Sequence, residues 1–367
     1  MPMIVVPSIY NCGSQQIESY KTYIDFLSKD YEAYRKVAST GKTIFQDLSL
    51  LFPVLTSTLH SIKNLFPFPE EGCLDCVIVD EAGMIPQHLL FPALVRANKA
   101  FVVGDPQQIE PIIRFSNQMK EQYLTEVFLN QGLTEADYER YSPTVSTAYH
   151  RAAGASFHGD NGHSILLAEH YRCVPSIINF CAQICNYKLD IKTQDKPSLL
   201  GPNLIAYHIE GEFKNHINLL EVEAIEKLVQ HLIDCGYSID GTNDKAIGII
   251  SPYHAQADYL RTHIRKHYPT FTYDSIGTVH TFQGGQKAAI ILSTRQCLDS
   301  QNLHFINQKP NLLNVAVSRA EELFILVGNI ERLTKAGGYT KQLVEYIRQY
   351  GDIRELPLIV QRTKKKI

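Results

Sequence analysis

Two carboxylates stand side by side where an apolar run stops. Cys76-Val77-Ile78-Val79 gives way to Asp80 and Glu81, then to the small residues Ala82 and Gly83. A strand written this way delivers both acids to its carboxyl end, where open α/β sheets hold their ligands. There Asp80 can hold Mg²⁺ through its water shell while Glu81 polarises an attacking water, as hydrolysis of a nucleoside triphosphate requires. The next strand, Ala100–Val103, closes in Gly104-Asp105-Pro106-Gln107-Gln108. Glycine and proline fix a tight turn, and an amide side chain just beyond it can reach a γ-phosphate. In the second half, Arg172 and Arg319 each follow a short motif-like run, and a guanidinium fork suits charge that develops on phosphoryl oxygens.

The pair Asp80–Gly83 and Gly104–Pro111 resembles motifs II and III of superfamily 1 helicases. The likeness is particularly to the five-prime-to-three-prime branch, which includes the nonsense-mediated-decay helicase and senataxin. By that resemblance Gln108 senses the γ-phosphate and couples it to nucleic acid. Leu167-Ala168-Glu169-His170-Tyr171-Arg172 is similar to motif IV and Asn314-Val315-Ala316-Val317-Ser318-Arg319-Ala320 to motif VI, and each supplies an arginine to the triphosphate. Gly277–Lys287 looks like motif V. The resemblance assigns nucleotide contacts to Asp105, Tyr171, Gly284 and Gln286. It assigns the grip on a single strand to Ser57 and Thr58, to Pro252, Tyr253 and Gln256, and to Thr278 and His280. Hydroxyl-bearing loops and helix starts can do this without a large net charge. Gln286 stands where a glutamate often contacts the ribose, His170 where a glutamine is usual, and Met84 where a glutamine is common; none of these removes a charge that hydrolysis needs.

The elements that must position these residues read as α/β. Gln16–Leu51 has helical spacing, and Val54-Leu55, Cys76–Val79 and Ala100–Val103 read as buried parallel strands. Later segments alternate. Strands are expected at Leu204–Ile209, Ala246–Ile250, Ser275–Val279, Ala288–Ser293 and Leu323–Val327, with helices at Leu219–Cys235, Ala255–His267 and near Asn311–Ala320. Such alternation predicts a doubly wound parallel sheet. With the resemblance, the expectation is two RecA-like domains of the P-loop NTPase type. Residues 1–116 form the first, 117–163 a connecting helix and loop, 164–350 the second, and 351–367 a basic tail.

A P-loop needs G-x-x-x-x-G-K-[ST], because successive backbone N–H groups wrap the phosphates and the lysine reaches between them. The one GKT, Gly41-Lys42-Thr43, has Lys36 five residues before Gly41 and follows a polar helical stretch. It reads as coincidence, and the first domain as truncated. The reading is the motor core of an ATP-dependent helicase, with ATP and Mg²⁺ as cofactors and single-stranded DNA or RNA as partner. Further domains of a larger protein are allowed for. The alternative is an ATPase-inactive RecA-like scaffold that binds protein or nucleic acid.

At 367 residues and 44% hydrophobic content, with a net charge of −3, the chain is long enough for two cored domains and has no global attraction to polyanions. No apolar run is long enough to span a bilayer. No leader is evident, so a cytoplasmic location is expected, or a nuclear one in a eukaryote. The eight cysteines read as reduced core thiols. Cys73-x-x-Cys76 has metal-ligand spacing but lacks a second pair, so Cys76 is expected in the core. His150, His158, Asp160 and His163 are expected to face water. No strand is followed by G-x-G-x-x-G, which sets a dehydrogenase-type dinucleotide site aside.

Overall fold

The structure, a computed structural model, describes residues 13–355 apart from 68–70, 114, 156–161, 212, 241–243, 283–284 and 297–302. The chain divides into two compact units. The first holds residues up to Pro106 and Glu110–Ser164; the second holds Gln107–Ile109 and everything from Ile165.

The first unit opens on a helical hairpin, α1 (Ser14–Leu27) and α2 (Tyr31–Ser49). The Asp30 carboxylate accepts from Ala33 N at 2.8 Å, satisfying a donor that the start of α2 would leave unpaired. Val37, Ile44, Phe45 and Leu48 then form its buried stripe. Gly41-Lys42-Thr43 lies inside α2, just after a kink at Thr40, so this GKT is helix and not a phosphate loop. A short helix, α3 (Ile62–Leu65), precedes β1 (Leu74–Val79), α4 (Gln87–Arg96) and β2 (Ala97–Val102). The two strands pair in parallel, from Leu74 opposite Ala97 to Val79 opposite Val102.

Three expectations are corrected here. Both strands form, but Ile78 is 73% exposed and Phe101 62%, so among the described residues the sheet is covered on one face only. Cys76 is exposed with them and is not a core residue. Val54-Leu55 is open loop, and Val54 is 79% exposed. Two apolar residues after a proline, which lacks a ladder donor, do not make a strand when no partner lies alongside.

The segment expected to connect the domains belongs to the first unit. It folds into α5 (Asn117–Tyr123), α6 (Glu135–Tyr141) and α7 (Ala148–Ala153) with shorter turns between. Capping boxes at Thr134 and Thr147 start the last two of these helices. Ala148 N donates to Ile85 O at 2.8 Å, and Ala148 and Tyr149 join the core that contains Val79 and Ala82. His150 is therefore buried, with Nδ1 2.7 Å from Thr147 Oγ1, and does not face water. His158 and Asp160 lie outside the described residues.

The second unit begins with β3 (Glu169–His170), α8 (Pro175–Cys185) and β4 (Asp190–Ile191). Then come β5 (Leu204–His208), the small hairpin of β6 (Phe213–Lys214) and β7 (Ile217–Asn218), and α9 (Leu219–Asp234). These are followed by β8 (Ile247–Ile250), α10 (His254–His267), β9 (Ile276–Gly277) and β10 (Lys287–Ser293). The unit ends with α11 (His304–Asn307), α12 (Asn311–Ser318), β11 (Ala320–Gly328), α13 (Ile330–Lys335), α14 (Gly338–Tyr350) and β12 (Asp352–Glu355). Six strands make one sheet in the order β12-β5-β11-β10-β8-β9, every pair parallel.

Alternation along β5 shows why both faces are covered. Leu204 and Ala206 pack with α8, α12 and α14 on one side, and Ile205 and Tyr207 with α9 and α10 on the other. The expected doubly wound sheet is present, although β9 is shorter than Ser275–Val279. The basic tail is corrected in part: Asp352–Glu355 pairs with β5 as an edge strand, and residues 356–367 lie outside the described part. Cys181 and Cys185 are buried on α8 as expected. Among the described residues no helix is long and apolar enough to cross a membrane.

Candidate nucleotide and nucleic-acid site

In the first unit the carboxylates stand at the carboxyl end of β1. Glu81 adopts a left-handed backbone, φ 54°, and its N–H donates to Asp80 Oδ1 at 2.8 Å. A non-glycine residue in that region is uncommon and is held by its surroundings. Val103 N donates to Val79 O at 2.8 Å, and Ala82 N to Val103 O at 2.9 Å, which keeps the two strand ends level. The turns beyond them interlock. A Cβ on Gly83 would stand 2.5 Å from Asp105 O, and one on Gly104 would stand 2.8 Å from Ala82 N. Only glycine allows this approach. Gly83→Ala is accordingly expected to cost about 1–3 kcal/mol of stability; a chemical denaturation midpoint equal to that of the unaltered chain would show that the turns do not pack as described.

Asp80 is exposed and Glu81 and Asp105 are half-buried. A groove of about 860 Å³ runs along β1, and Ser57, Thr58, Ile78 and Asp80 all line it. The structure thus brings the expected strand-gripping loop and the expected metal ligand to one groove. Ser57 and Thr58 are exposed; Thr58 Oγ1 accepts from Ser61 N at 3.3 Å and donates to Ser61 Oγ at 3.0 Å.

In the second unit Arg319 follows α12 and is 2% exposed. Its Nη1 donates to Gly285 O at 3.0 Å, and its Nη2 lies 3.5 Å from Gln108 Oε1. Gln108 is held from the same helix: Asn314 Nδ2 donates to Gln107 O at 2.9 Å, and Asn311 Nδ2 to Gln108 O. Ile109 anchors the segment in the core. The expected γ-phosphate sensor and one expected arginine therefore meet, with a guanidinium and an amide side by side. Arg172 and Tyr171 are exposed on the loop after β3. They are tied to the same region indirectly, because the Cys173 thiol donates to Ser318 O at 3.2 Å and Val174 N to Glu321 O at 2.9 Å. Burial pushes the Cys173 thiol up to about 12, so this cysteine is a packing residue and not a nucleophile. Gln286 is exposed, and Gly284 lies outside the described residues.

The strand-end loop after β8 departs from the sequence reading. Gln256 is fully buried: Oε1 accepts from Asn218 N at 2.9 Å, while Nε2 donates to Asn218 O at 3.3 Å and to Ser293 Oγ at 3.1 Å. It cannot reach a bound strand and instead joins β7, α10 and β10. Pro252 and Thr278 are also buried. Tyr253 is half-buried, His280 is exposed, and desolvation followed by the nearby His254 holds the His280 imidazole below its ordinary value.

Sequence reasoning missed the centre of this network. Glu221 is fully buried on α9, and it accepts from Ser293 Oγ at 2.6 Å and from Arg295 N at 2.8 Å. The Arg295 guanidinium lies 3.6 Å from the centroid of the Tyr253 ring, and Gln296 Nε2 donates to Tyr253 OH at 2.9 Å. An Asn218-x-x-Glu221 cap just before an apolar helix was the available signal. It marks a helix start without showing that the acid is buried.

Residues 149–331 match the AAA domain family AAA_12. A regulator of nonsense transcripts 1 from Dictyostelium discoideum is 24% identical over 79% of this chain and 21% of its own length. The chain is similar to superfamily 1 helicases. An uncharacterised ATP-dependent helicase from Caenorhabditis elegans is 33% identical over 90% of this chain and 20% of its own length. The chain thus spans about a fifth of the length of these two relatives. Among solved structures, one of a PRRSV helicase matches at 14% identity and a TM-score of 0.35, over 70% of this chain and 36% of that one. At that level the description of the fold rests on the chain's own sheet order.

Proposed function

We propose that this chain is the motor core of an ATP-dependent helicase that couples ATP hydrolysis to movement along single-stranded DNA or RNA. The observation that carries this reading is the meeting of Gln108 with the buried Arg319, a γ-phosphate sensor beside a charge-clamping arginine. Glu81 would activate the water and Asp80 would hold Mg²⁺, whose chemistry is to neutralise charge on the phosphates. The donor set fits a hydrated hard cation: Asp80 is an exposed carboxylate facing a roomy groove. Arg172 and Arg319 would steady the developing charge. Ser57, Thr58, Tyr253 and His280 are the strand-gripping residues that keep accessible surface. Polarity would be five-prime to three-prime, and the setting cytoplasmic or nuclear.

These 367 residues carry no P-loop sequence, so in this reading the phosphate cradle comes from outside them. The chain by itself is expected to bind Mg·ATP no tighter than about millimolar, whereas a protein that joins it to a P-loop hydrolyses ATP faster when single strands are added. Calorimetric titration and a phosphate-release assay check the two halves. Micromolar affinity of the chain alone would overturn the first, and hydrolysis indifferent to single strands the second.

A further inference from the structure

α9 and α10 run side by side on the same face of the second unit's sheet, and their packing brings three metal-binding side chains together. His263 and His267 are four residues apart on α10, so both imidazoles project from one face, a turn apart. Glu226 on α9 reaches between them with both oxygens engaged. His263 Nε2 is 2.7 Å from Oε2, and His267 Nδ1 is 2.5 Å from Oε1. The two rings stand at 78° with centroids 5.0 Å apart, and Tyr259 stacks on His263 at 16°. The two imidazoles hold the Glu226 carboxyl below its ordinary value against a desolvation that would raise it.

We propose that Glu226, His263 and His267 form a binding site for a divalent transition-metal ion, with zinc the best fit. The three ligand atoms lie within 4.8 Å of one another. In a tetrahedral zinc site, bonds of about 2.0–2.1 Å place donor atoms roughly 3.3 Å apart, so each donor needs to move by less than about 1 Å. Two imidazoles and one carboxylate favour zinc, copper or nickel over magnesium or calcium, which prefer all-oxygen shells. The side chains keep partial exposure, 25% for His263, 28% for Glu226 and 42% for His267. An ion can therefore enter, and a water can take its fourth position.

His263 lies nine residues beyond the start of α10 at His254. At about 1.5 Å of rise per residue that puts the site on the order of 13 Å along the helix from the Tyr253 loop. The ion would clip α9 to α10, and the site does not rest on the helicase reading.

The test is calorimetric titration of the chelator-treated chain with Zn²⁺, followed by visible absorption with Co²⁺ as the spectroscopic probe. One ion per chain at micromolar affinity is expected, with the absorption bands of low-coordinate Co²⁺. Affinity should fall at least tenfold in His263→Ala and in His267→Ala. Glu226→Gln, which keeps the shape of the side chain, should show the same loss if an alanine variant fails to fold. Cys73→Ser/Cys76→Ser should bind as the unaltered chain does. The proposal is overturned if the unaltered chain takes up no zinc, if the histidine and glutamate variants bind equally well, or if uptake disappears with the cysteine pair.

Discussion

Replacing Glu221 with alanine is expected to destabilise the chain by about 3 kcal/mol or more, since it strands several buried partners together. Ser293 Oγ and Arg295 N would lose their acceptor, and Asn218 Nδ2 a weaker one at 3.4 Å. The same group makes stability depend on pH. Burial, the largest influence, pushes the Glu221 carboxyl up to about 8 from an ordinary 4.5, despite the hydrogen bonds that oppose it. The folded chain therefore keeps a proton that the unfolded chain has released above pH 4.5. The Glu221 contribution is flat below about 4.5, falls as pH rises from there to about 8, and is flat again above. At about 1.4 kcal/mol for each unit of pKa difference, the total change is several kcal/mol. Urea midpoints at pH 5, 6.5 and 8 should drift downward in the unaltered chain. Glu221→Gln, which carries no charge at any pH, should flatten that drift while tolerating pH 8 better than the native acid. Equal slopes for the two proteins would show that Glu221 titrates normally and is not enclosed as described.

The features legible in sequence were those with a local cause. The strands of the second unit announce themselves as short apolar runs that alternate with helical segments, and β5, β8, β10 and β11 stand within a few residues of where those runs place them. The Asp80-Glu81 pair is local in the same sense, because an apolar strand ending in acids puts them at its tip whatever surrounds it. Burial was not legible, because it depends on what lies alongside. Cys76 and Ile78 sit in a strand that reads as core, yet their face of β1 has no covering layer among the described residues. Gln256 shows the reverse. A polar residue at the start of a helix beside a strand end reads as a ligand contact, but the backbone of Asn218, from a hairpin 38 residues earlier, takes up its amide. Nor could spacing show that Gln107–Ile109 docks on α12, since Asn311 and Asn314 lie some two hundred residues away.

Arg319→Ala is expected to lower single-strand-stimulated ATP hydrolysis by about 10³-fold or more in a protein that joins this chain to a P-loop. The guanidinium is buried with one nitrogen given to Gly285 O and another near Gln108 Oε1, so its plane is already fixed before any phosphate arrives. A fork set in advance loses little on reorganisation when charge develops beside it. Arg319→Lys should recover no more than about tenfold of the loss, because one ammonium cannot serve the Gly285 carbonyl and a phosphoryl oxygen in the same geometry. A purely structural arginine would behave differently: its loss would lower the melting temperature and loosen nucleic-acid binding along with hydrolysis. Gln108→Ala separates the two cases, since it removes the amide contact and leaves the charge. Its hydrolysis should fall by only about tenfold, with binding of single strands retained. Should Arg319→Ala hydrolyse ATP within tenfold of the unaltered protein, the arginine is packing for the Gly285 loop, and the charge clamp must be sought at Arg172 alone.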